Sequence, residues 1–372
     1  MRICFLADGN HPNTLNWAAY FSNALCHEVH VISLNPPSLS EKGIIFHHLQ
    51  LPIKGKFRYL SPVTSLRRIL QSISPDLLIG YRLTSYAFMA AKSKFHPLVV
   101  VAQSQKAAGD FRILRKPIQW LAARYAVRNA DLSIAWGPHM AEDIVILGGK
   151  EEKIFTQPRG VDLSLFKYAP KKLSKDLCIV TTRGLNPGYN LQTVINAVAQ
   201  LSDKIDGIRY MVIGNGKERE RLQQLSKDLN IEERVFFKGK VPYDTIPNYL
   251  SESDLYVSPV PEDGVSSSLL EAMAVGSYPI VTNIEANQYW EKLGCSFMCF
   301  NSKRADELAN RILTFHQNRE SYRTQLKINR SIVEKRASWS HNMKNIERAL
   351  LDLVHNSDTP MHSKKKIVLP SF

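Results

Sequence analysis

The stretch SPVPEDGVSSSLLEAMAVGSYPIVT, residues 258–282, sets two carboxylates, Asp263 and Glu271, on either side of Gly264, Val265 and the serines Ser266, Ser267 and Ser268. Apolar runs ending at Val260 and resuming at Pro279 bracket it, which reads as a strand, a loop, a short helix from Ser268 to Val275 and a second strand. Two accounts of Glu271 follow. If Ser268 caps the helix, SLLE is a capping box in which Glu271 satisfies the backbone of Ser268. Alternatively, Glu271 accepts the hydroxyls of a ribose diol, while the helix-start N–H groups near Ser266 and Ser267 attract a diphosphate. Gly264 beside Asp263 favours the second account, because it lets the backbone come close to a ligand.

Other residues join this edge. Arg183 in TTRGLNPGYN follows a strand and precedes a helix, where its planar guanidinium suits a bidentate phosphate contact or a surface ion pair. Gly214 in VIGNG either lines the nucleotide site or makes an ordinary strand-to-helix turn, since Gly214-x-Gly216 lacks the third glycine of a dinucleotide fingerprint. In ADGNHPNTLNW, Gly9, Asn10, His11 and Asn13 form a polar loop suited to a hydroxylated acceptor, and His11 is equally readable as a noncatalytic imidazole. His47 and His48 are adjacent and point to opposite faces of a strand, and no HxxxH or Cys/His cluster occurs, so no metal site is expected.

The elements that must position these groups alternate. RICFLAD, EVHVISL, DLLIGY, LVVVAQ, DLSIAW and KIFTQ read as strands, and LNWAAYFSNAL as a helix with Leu15, Ala18, Ala19, Ser22 and Leu25 on one face. The pattern restarts at LCIVTTRG. This is the grammar of two parallel sheets covered by helices, which bind ligands beyond the carboxyl ends of their strands. The expected organisation is a first α/β domain over 1–168, a lysine-rich linker over 169–176, a second α/β domain over 177–335, a helix over 336–355 returning to the first domain, and a mobile tail over 356–372.

The chain has 372 residues, more than the usual single-core size of about 100 to 200. Five cysteines without a CxxC pair indicate free thiols in a reducing compartment. The N-terminal apolar run is too short for a signal core and no spanning segment follows, so the expectation is a cytoplasmic protein, peripheral on the inner face of a membrane. The formal charge is +14, and residues 1–168 carry 20 Lys and Arg against 11 Asp and Glu. KGKFRYL with Arg67 and Arg68, and FRILRKPIQW with Arg124 and Arg128, interleave cations with apolar and aromatic groups. Such stretches fit an anionic membrane surface, RNA or a merely solvated face, and no zinc-knuckle, helix-turn-helix or RNP pattern favours nucleic acid.

Taken together, IFTQPRGVDLSLF, TTRGLNPGYNLQTVINAV and LSESDLYVSPVPEDGVSSSLLEAMAVGSYPIVT resemble the junction, phosphate-binding segment and donor loop of the retaining glycosyltransferases of family 4. The resemblance covers nearly the whole chain. It implies the GT-B architecture, two Rossmann-like domains facing a central cleft. A sugar would pass from a nucleoside-diphosphate sugar, UDP favoured over GDP, to a hydroxyl of a glycan or lipid-linked acceptor, with no other cofactor. On these residues it implies that Glu271 holds the ribose, Asp263 the sugar hydroxyls and Arg183 the diphosphate. The backbone from Gly264 through Ser267, with Gly214, would line the donor, and Gly9 would approach its phosphates. Asn10, His11, Asn13 and Gln103 would lie on the acceptor side. Three positions depart from the family pattern: Asp263 stands for Glu, Tyr189 for the phosphate-binding Lys and Gln103 for a His. An epimerase acting on the nucleotide sugar, or a weakly active nucleotide-sugar-binding partner, are the competing functions, and the oligomeric state stays open.

Overall fold

The computed structural model describes residues 1–37, 41–50, 63–102, 117–170 and 175–357. Strands buried on both faces read as continuous apolar runs. The chain forms them in two parallel sheets, each belonging to its own compact unit.

The first unit comprises residues 1–157 and 345–372. Its elements are β1 (Arg2–Leu6), α1 (Pro12–Ala19), β2 (Glu28–Ser33), β3 (Ile44–His48), α2 (Val63–Ile73), β4 (Leu77–Tyr81), α3 (Tyr86–Ser93), β5 (Leu98–Ala102), α4 (Pro117–Arg128), β6 (Leu132–Ala135), α5 (Pro138–Ile146) and β7 (Ile154–Thr156). The strand order is β3-β2-β1-β4-β5-β6-β7. The buried face of α1 and the π-helical turn that continues it is Thr14, Trp17, Ala18 and Phe21, which corrects the expected Leu15, Ala18, Ala19, Ser22 and Leu25 stripe. The reason is aromatic. Trp17 sits edge-on to Tyr81 at 5.6 Å and packs beside Phe21 and Trp136, so the largest side chains set the rotation of the helix.

The second unit comprises residues 158–344. It contains β8 (Leu177–Thr182), α6 (Gln192–Leu201), β9 (Ile208–Ile213), α7 (Arg219–Asp228), β10 (Val235–Gly239), α8 (Ile246–Glu252), β11 (Leu255–Ser258), α9 (Ser267–Val275), β12 (Tyr278–Thr282), α10 (Glu285–Lys292), β13 (Met298–Phe300), α11 (Ala305–Gln317) and α12 (Arg323–Arg336). The order is β10-β9-β8-β11-β12-β13, so the sheet reverses direction of growth between β8 and β11. Residues 158–168, expected to close the first domain, belong here instead. Val161 and Phe166 are buried with Tyr256, Leu269, Met273 and Val333, and enclosing a side chain such as Phe166 contributes about 1.5–3 kcal/mol. Asn329 of α12, fully buried, accepts from the Ser296 N–H and donates to the Ser296 carbonyl, both at 2.7 Å, which ties α12 to the loop before β13.

A last helix, α13 (Trp339–Ser357), follows, and the chain rejoins the first unit at residue 345. There Glu347 contacts His27 Nε2 at 2.7 Å, and Ile346 and Leu350 are fully buried. Trp339 is only half-buried and lies under the Arg159 guanidinium at 5.2 Å. The linker centre, residues 171–174, the basic segments at 54–60 and 111–116, and the tail from 358 onward lie outside the described residues.

The turn after β9 brings the sheet edge together. Gly214 has φ +139°, and a Cβ there would stand 2.1 Å from the Arg183 carbonyl oxygen. A Cβ on Gly216 would meet the Leu185 carbonyl oxygen at 2.2 Å. Both glycines are therefore required by a close backbone approach to the segment carrying Arg183. Gly214→Ala combines a left-handed backbone with a clash and should cost about 3 kcal/mol, read as a lower urea midpoint. An unchanged midpoint would show that the turn can move away from Arg183.

Candidate functional site

The reversal point between β8 and β11 is where a doubly wound sheet opens a crevice at its carboxyl edge. Arg183 is the first residue after β8, and Asp263 to Ser266 lie between β11 and α9. The structure brings them into direct contact. Arg183 Nη2 donates to Asp263 Oδ2, and to Ser266 Oγ at 2.6 Å. The side chains of Arg183 and Asp263 are 16% and 19% exposed. Burial alone would lower the Arg183 pKa, but Asp263 and then Tyr256 outweigh it and hold the guanidinium firmly protonated.

The start of α9 differs from the capping-box expectation. The helix begins at Ser267, and its cap is Ser266, whose Oγ accepts the Leu269 N–H at 3.2 Å. The Ser268 hydroxyl instead donates to the Thr182 carbonyl at 3.3 Å. Ser266 Oγ thus accepts from both Leu269 and Arg183, which leaves its own O–H as a donor. With Ser266 as the cap, the third helical position is Leu269 and Glu271 lies a full turn into the helix, so it has no capping-box role. Its Oε1 accepts from the Tyr243 hydroxyl at 2.8 Å, and the residue is only 4% exposed. Burial raises the Glu271 pKa, while Tyr243 and then the nearby Arg159 and Arg183 work against the rise.

Asp263 Oδ1 accepts the Gly264 N–H at 2.8 Å, which folds the loop back on itself. Gly264 and Ser266 are buried, and Val265 and Ser267 are half-buried at the same helix start. Gly214 meets this group through the backbone of Arg183. The resulting cluster joins a paired cation, two carboxylates, a hydroxyl donor and a helix N-terminus at one edge, which suits a ligand with both negative charge and hydroxyls.

Sequence reasoning misses Tyr243 and Arg159. Each is remote from Glu271 along the chain, and the one available signal is the position of Tyr243 in the loop after β10, on the same carboxyl edge. Tyr189, at the expected Lys position, packs partly buried against the core.

In the first unit, the loop after β1 has a more structural character. Gly9 is buried and its N–H donates to Ser33 Oγ at 3.0 Å. The Asn10 amide donates to the Pro36 carbonyl at 3.0 Å. His11 caps α1, its Nδ1 accepting the Asn13 N–H at 3.2 Å, which places the ring proton on Nε2. Gln103 lies outside the described residues. His47 pairs with His30 at 2.9 Å, and His48 turns to the Leu34 carbonyl. Among the described residues no group of three or more His, Cys, Asp or Glu is disposed to hold a metal, and no helix is long and apolar enough to cross a membrane.

The family model "Glycosyl transferases group 1" matches residues 166–331, and "Glycosyl transferase 4-like" matches residues 2–134. The lipopolysaccharide core biosynthesis glycosyltransferase LpsE of Rhizobium meliloti is 26% identical over 279 residues, 72% of this chain and 77% of LpsE. A phosphatidylinositol N-acetylglucosaminyltransferase component from Arabidopsis thaliana is 22% identical over 163 residues, and that match spans 43% of this chain and only 36% of the Arabidopsis protein. Anabaena Alr3699/HepE, whose crystal structure is a complex with UDP, superposes with a TM-score of 0.78 at 20% identity over 95% of this chain and all of HepE. The two models together match most of the chain, which belongs to the group 1, glycosyltransferase 4-like family and has the two-domain GT-B fold.

Proposed function

We propose that this enzyme transfers a sugar, with retention of anomeric configuration, from a nucleoside-diphosphate sugar to a hydroxyl of a glycan or lipid-linked acceptor. The observation that carries the donor assignment is the Arg183–Asp263–Ser266 contact at the reversal point of the second sheet, one helical turn from Glu271. In this reading Arg183, the Ser266 hydroxyl and the first amides of α9 bind the diphosphate, with the backbone of Gly264 and Val265 alongside. Glu271 takes the ribose hydroxyls. Asp263 takes sugar hydroxyls: each of its oxygens already accepts one protein hydrogen bond, and a carboxylate oxygen has a second lone pair to offer.

As the bond from C1 to the phosphate oxygen breaks, charge grows on the diphosphate. A fixed guanidinium and amides at a helix start stabilise it without reorganising. The acceptor oxygen then bonds to C1 on the face the phosphate leaves, and its proton passes to the departing phosphate oxygen, so Asp263 acts as a hydroxyl acceptor and not as a nucleophile. The loop carrying Gly9, Asn10, His11 and Asn13 is assigned to the acceptor side.

HepE has been crystallised with UDP and with UDP-glucose, which supports a nucleotide-sugar donor, and a UDP-sugar is the donor proposed here. Thermal shift with UDP-glucose, UDP-N-acetylglucosamine, GDP-mannose and ADP-glucose tests this. A true donor at a hundred times its dissociation constant adds about 2.7 kcal/mol of stability, while failure of all four to raise the melting temperature would defeat the assignment.

A lipid-linked acceptor is supported by one face of the first unit. Ile118 and Leu121 of α4 are exposed, as is Arg128 at the helix end, and Arg124 reaches from α4 to the Leu147 carbonyl, next in sequence to exposed Ile146. Apolar groups flanked by arginines suit the interface of an anionic bilayer, and the attraction should fall as salt screens it. Flotation with phosphatidylglycerol vesicles should decline between low and high salt. Equal flotation with neutral vesicles, or none at all, would remove the membrane from this account.

A further inference from the structure

Glu271 is held from an unexpected direction. Tyr243 belongs to a single turn of 3-10 helix, Tyr243–Thr245, between β10 and α8. Its ring rests against fully buried Phe166, with centroids 5.6 Å apart, yet the residue remains 44% exposed. Its hydroxyl takes Glu271 Oε1, and among the described residues Glu271 Oε2 accepts no hydrogen bond. One oxygen of a nearly enclosed carboxylate is therefore fixed by the protein, and the other is left to accept from a ligand. A carboxylate with one oxygen anchored has lost the freedom to rotate about its last torsion, which is the ordering a ligand would otherwise have to impose.

We propose that Tyr243 is a positioning residue of the donor site, its phenol holding Glu271 so that Oε2 is presented to the ribose diol of the nucleotide. This rests on the donor-site reading above and adds to it the residue that orients the nucleoside-binding carboxylate. With Oε1 held by the Tyr243 hydroxyl, a proton on Glu271 would sit on Oε2 and turn the presented acceptor into a donor, so the charge on Glu271 matters as much as its direction.

The groups facing Glu271 set that charge. Tyr243 approaches from the turn after β10, Arg159 from the segment that opens the second unit, and Arg183 from the end of β8, itself paired with Asp263. Asp162 acts on Tyr243. At the far end of α9, Arg330 of α12 donates to the Ala274 carbonyl at 2.9 Å and pairs with Glu334. Burial first, then Glu271, push the Tyr243 phenol well above its ordinary range, so it stays protonated and remains a donor. Burial raises the Glu271 pKa and the Tyr243 hydrogen bond opposes that rise. Donor affinity should accordingly be lost as pH falls through the raised Glu271 pKa, and removing the phenol O–H should move that loss to higher pH.

Tyr243→Phe keeps the ring on Phe166 and deletes only the hydroxyl. The probe is whichever of the four nucleotide sugars above stabilises the protein most, because its diphosphate diester keeps a constant charge across the titration. Calorimetric binding from mildly acidic to neutral pH should show about a tenfold loss of affinity in Tyr243→Phe and an acid limb displaced upward, with KM raised and kcat little changed. Glu271→Gln should abolish the limb, and adding Tyr243→Phe to it should change affinity no further. A phenol that merely supports the fold would lower the melting temperature of Tyr243→Phe and leave its acid limb in place, which overturns the proposal. If Glu271→Gln binds as tightly as the parent, or if none of the four sugars binds, the donor-site reading falls with it. If Glu271→Gln loses affinity while Tyr243→Phe leaves the limb unmoved, only the role of Tyr243 falls.

Discussion

A cation held out of water has to be answered by an anion, and here Arg183 is answered by Asp263 across the point where the second sheet reverses its growth. Such a pair contributes little net stability, because desolvation offsets its attraction, whereas removing one partner typically costs about 3–5 kcal/mol. Its value is positional. Arg183 is fixed at the end of β8 by the close packing of Gly214, and Asp263 is fixed by the Gly264 N–H, so two loops 80 residues apart in sequence share one geometry.

From that pair the rest of the site follows. Ser266 caps α9 and accepts from Arg183 with the same oxygen, which couples the helix start to the cation. The helix then carries Glu271 inward by one turn, where Tyr243 meets it. In the proposed reading, phosphate, sugar and ribose face three groups whose spacing is set by one short helix and two strand ends. Helix-start amides and a paired guanidinium are pre-oriented dipoles and charge, the arrangement that stabilises a leaving diphosphate at least cost in reorganisation.

Much of this is legible in the sequence, and what is not has identifiable causes. Parallel strands such as LCIVTT and LVVVA announce themselves because both faces are apolar. α2 and α5 do not stand out as elements, and β3 is read only through the neighbouring His47 and His48. Leu66, Leu70 and Ile73 of α2 do carry a helical spacing, but the helix is rich in exposed polar groups. The expected domain boundary lies eleven residues late because Val161 and Phe166 look like the end of an apolar unit, and only their partners Leu269 and Met273 show which core they complete. Three consecutive serines are indistinguishable by type, so sequence alone offers Ser268 as a cap without excluding its neighbours. Contacts made by two of them, Ser266 with Arg183 and Ser268 with the Thr182 carbonyl, decide the matter, and neither partner is near in sequence. Arg183 and Asp263 are readable because they follow strand ends, and Glu271 because it sits in the short helix just after them. Tyr243 and Arg159 are not, since their relation to Glu271 exists only once the sheet has formed.

The central claim is that Arg183 and Asp263 act on the donor as one unit. A double-mutant cycle with Arg183→Lys and Asp263→Asn, read as the binding free energy of the nucleotide sugar, measures this directly. The account predicts that each single substitution weakens binding and that the double variant is little worse than the weaker single, a coupling of about 1–2 kcal/mol. Losses that add to within about 0.5 kcal/mol would show two independent groups and contradict it.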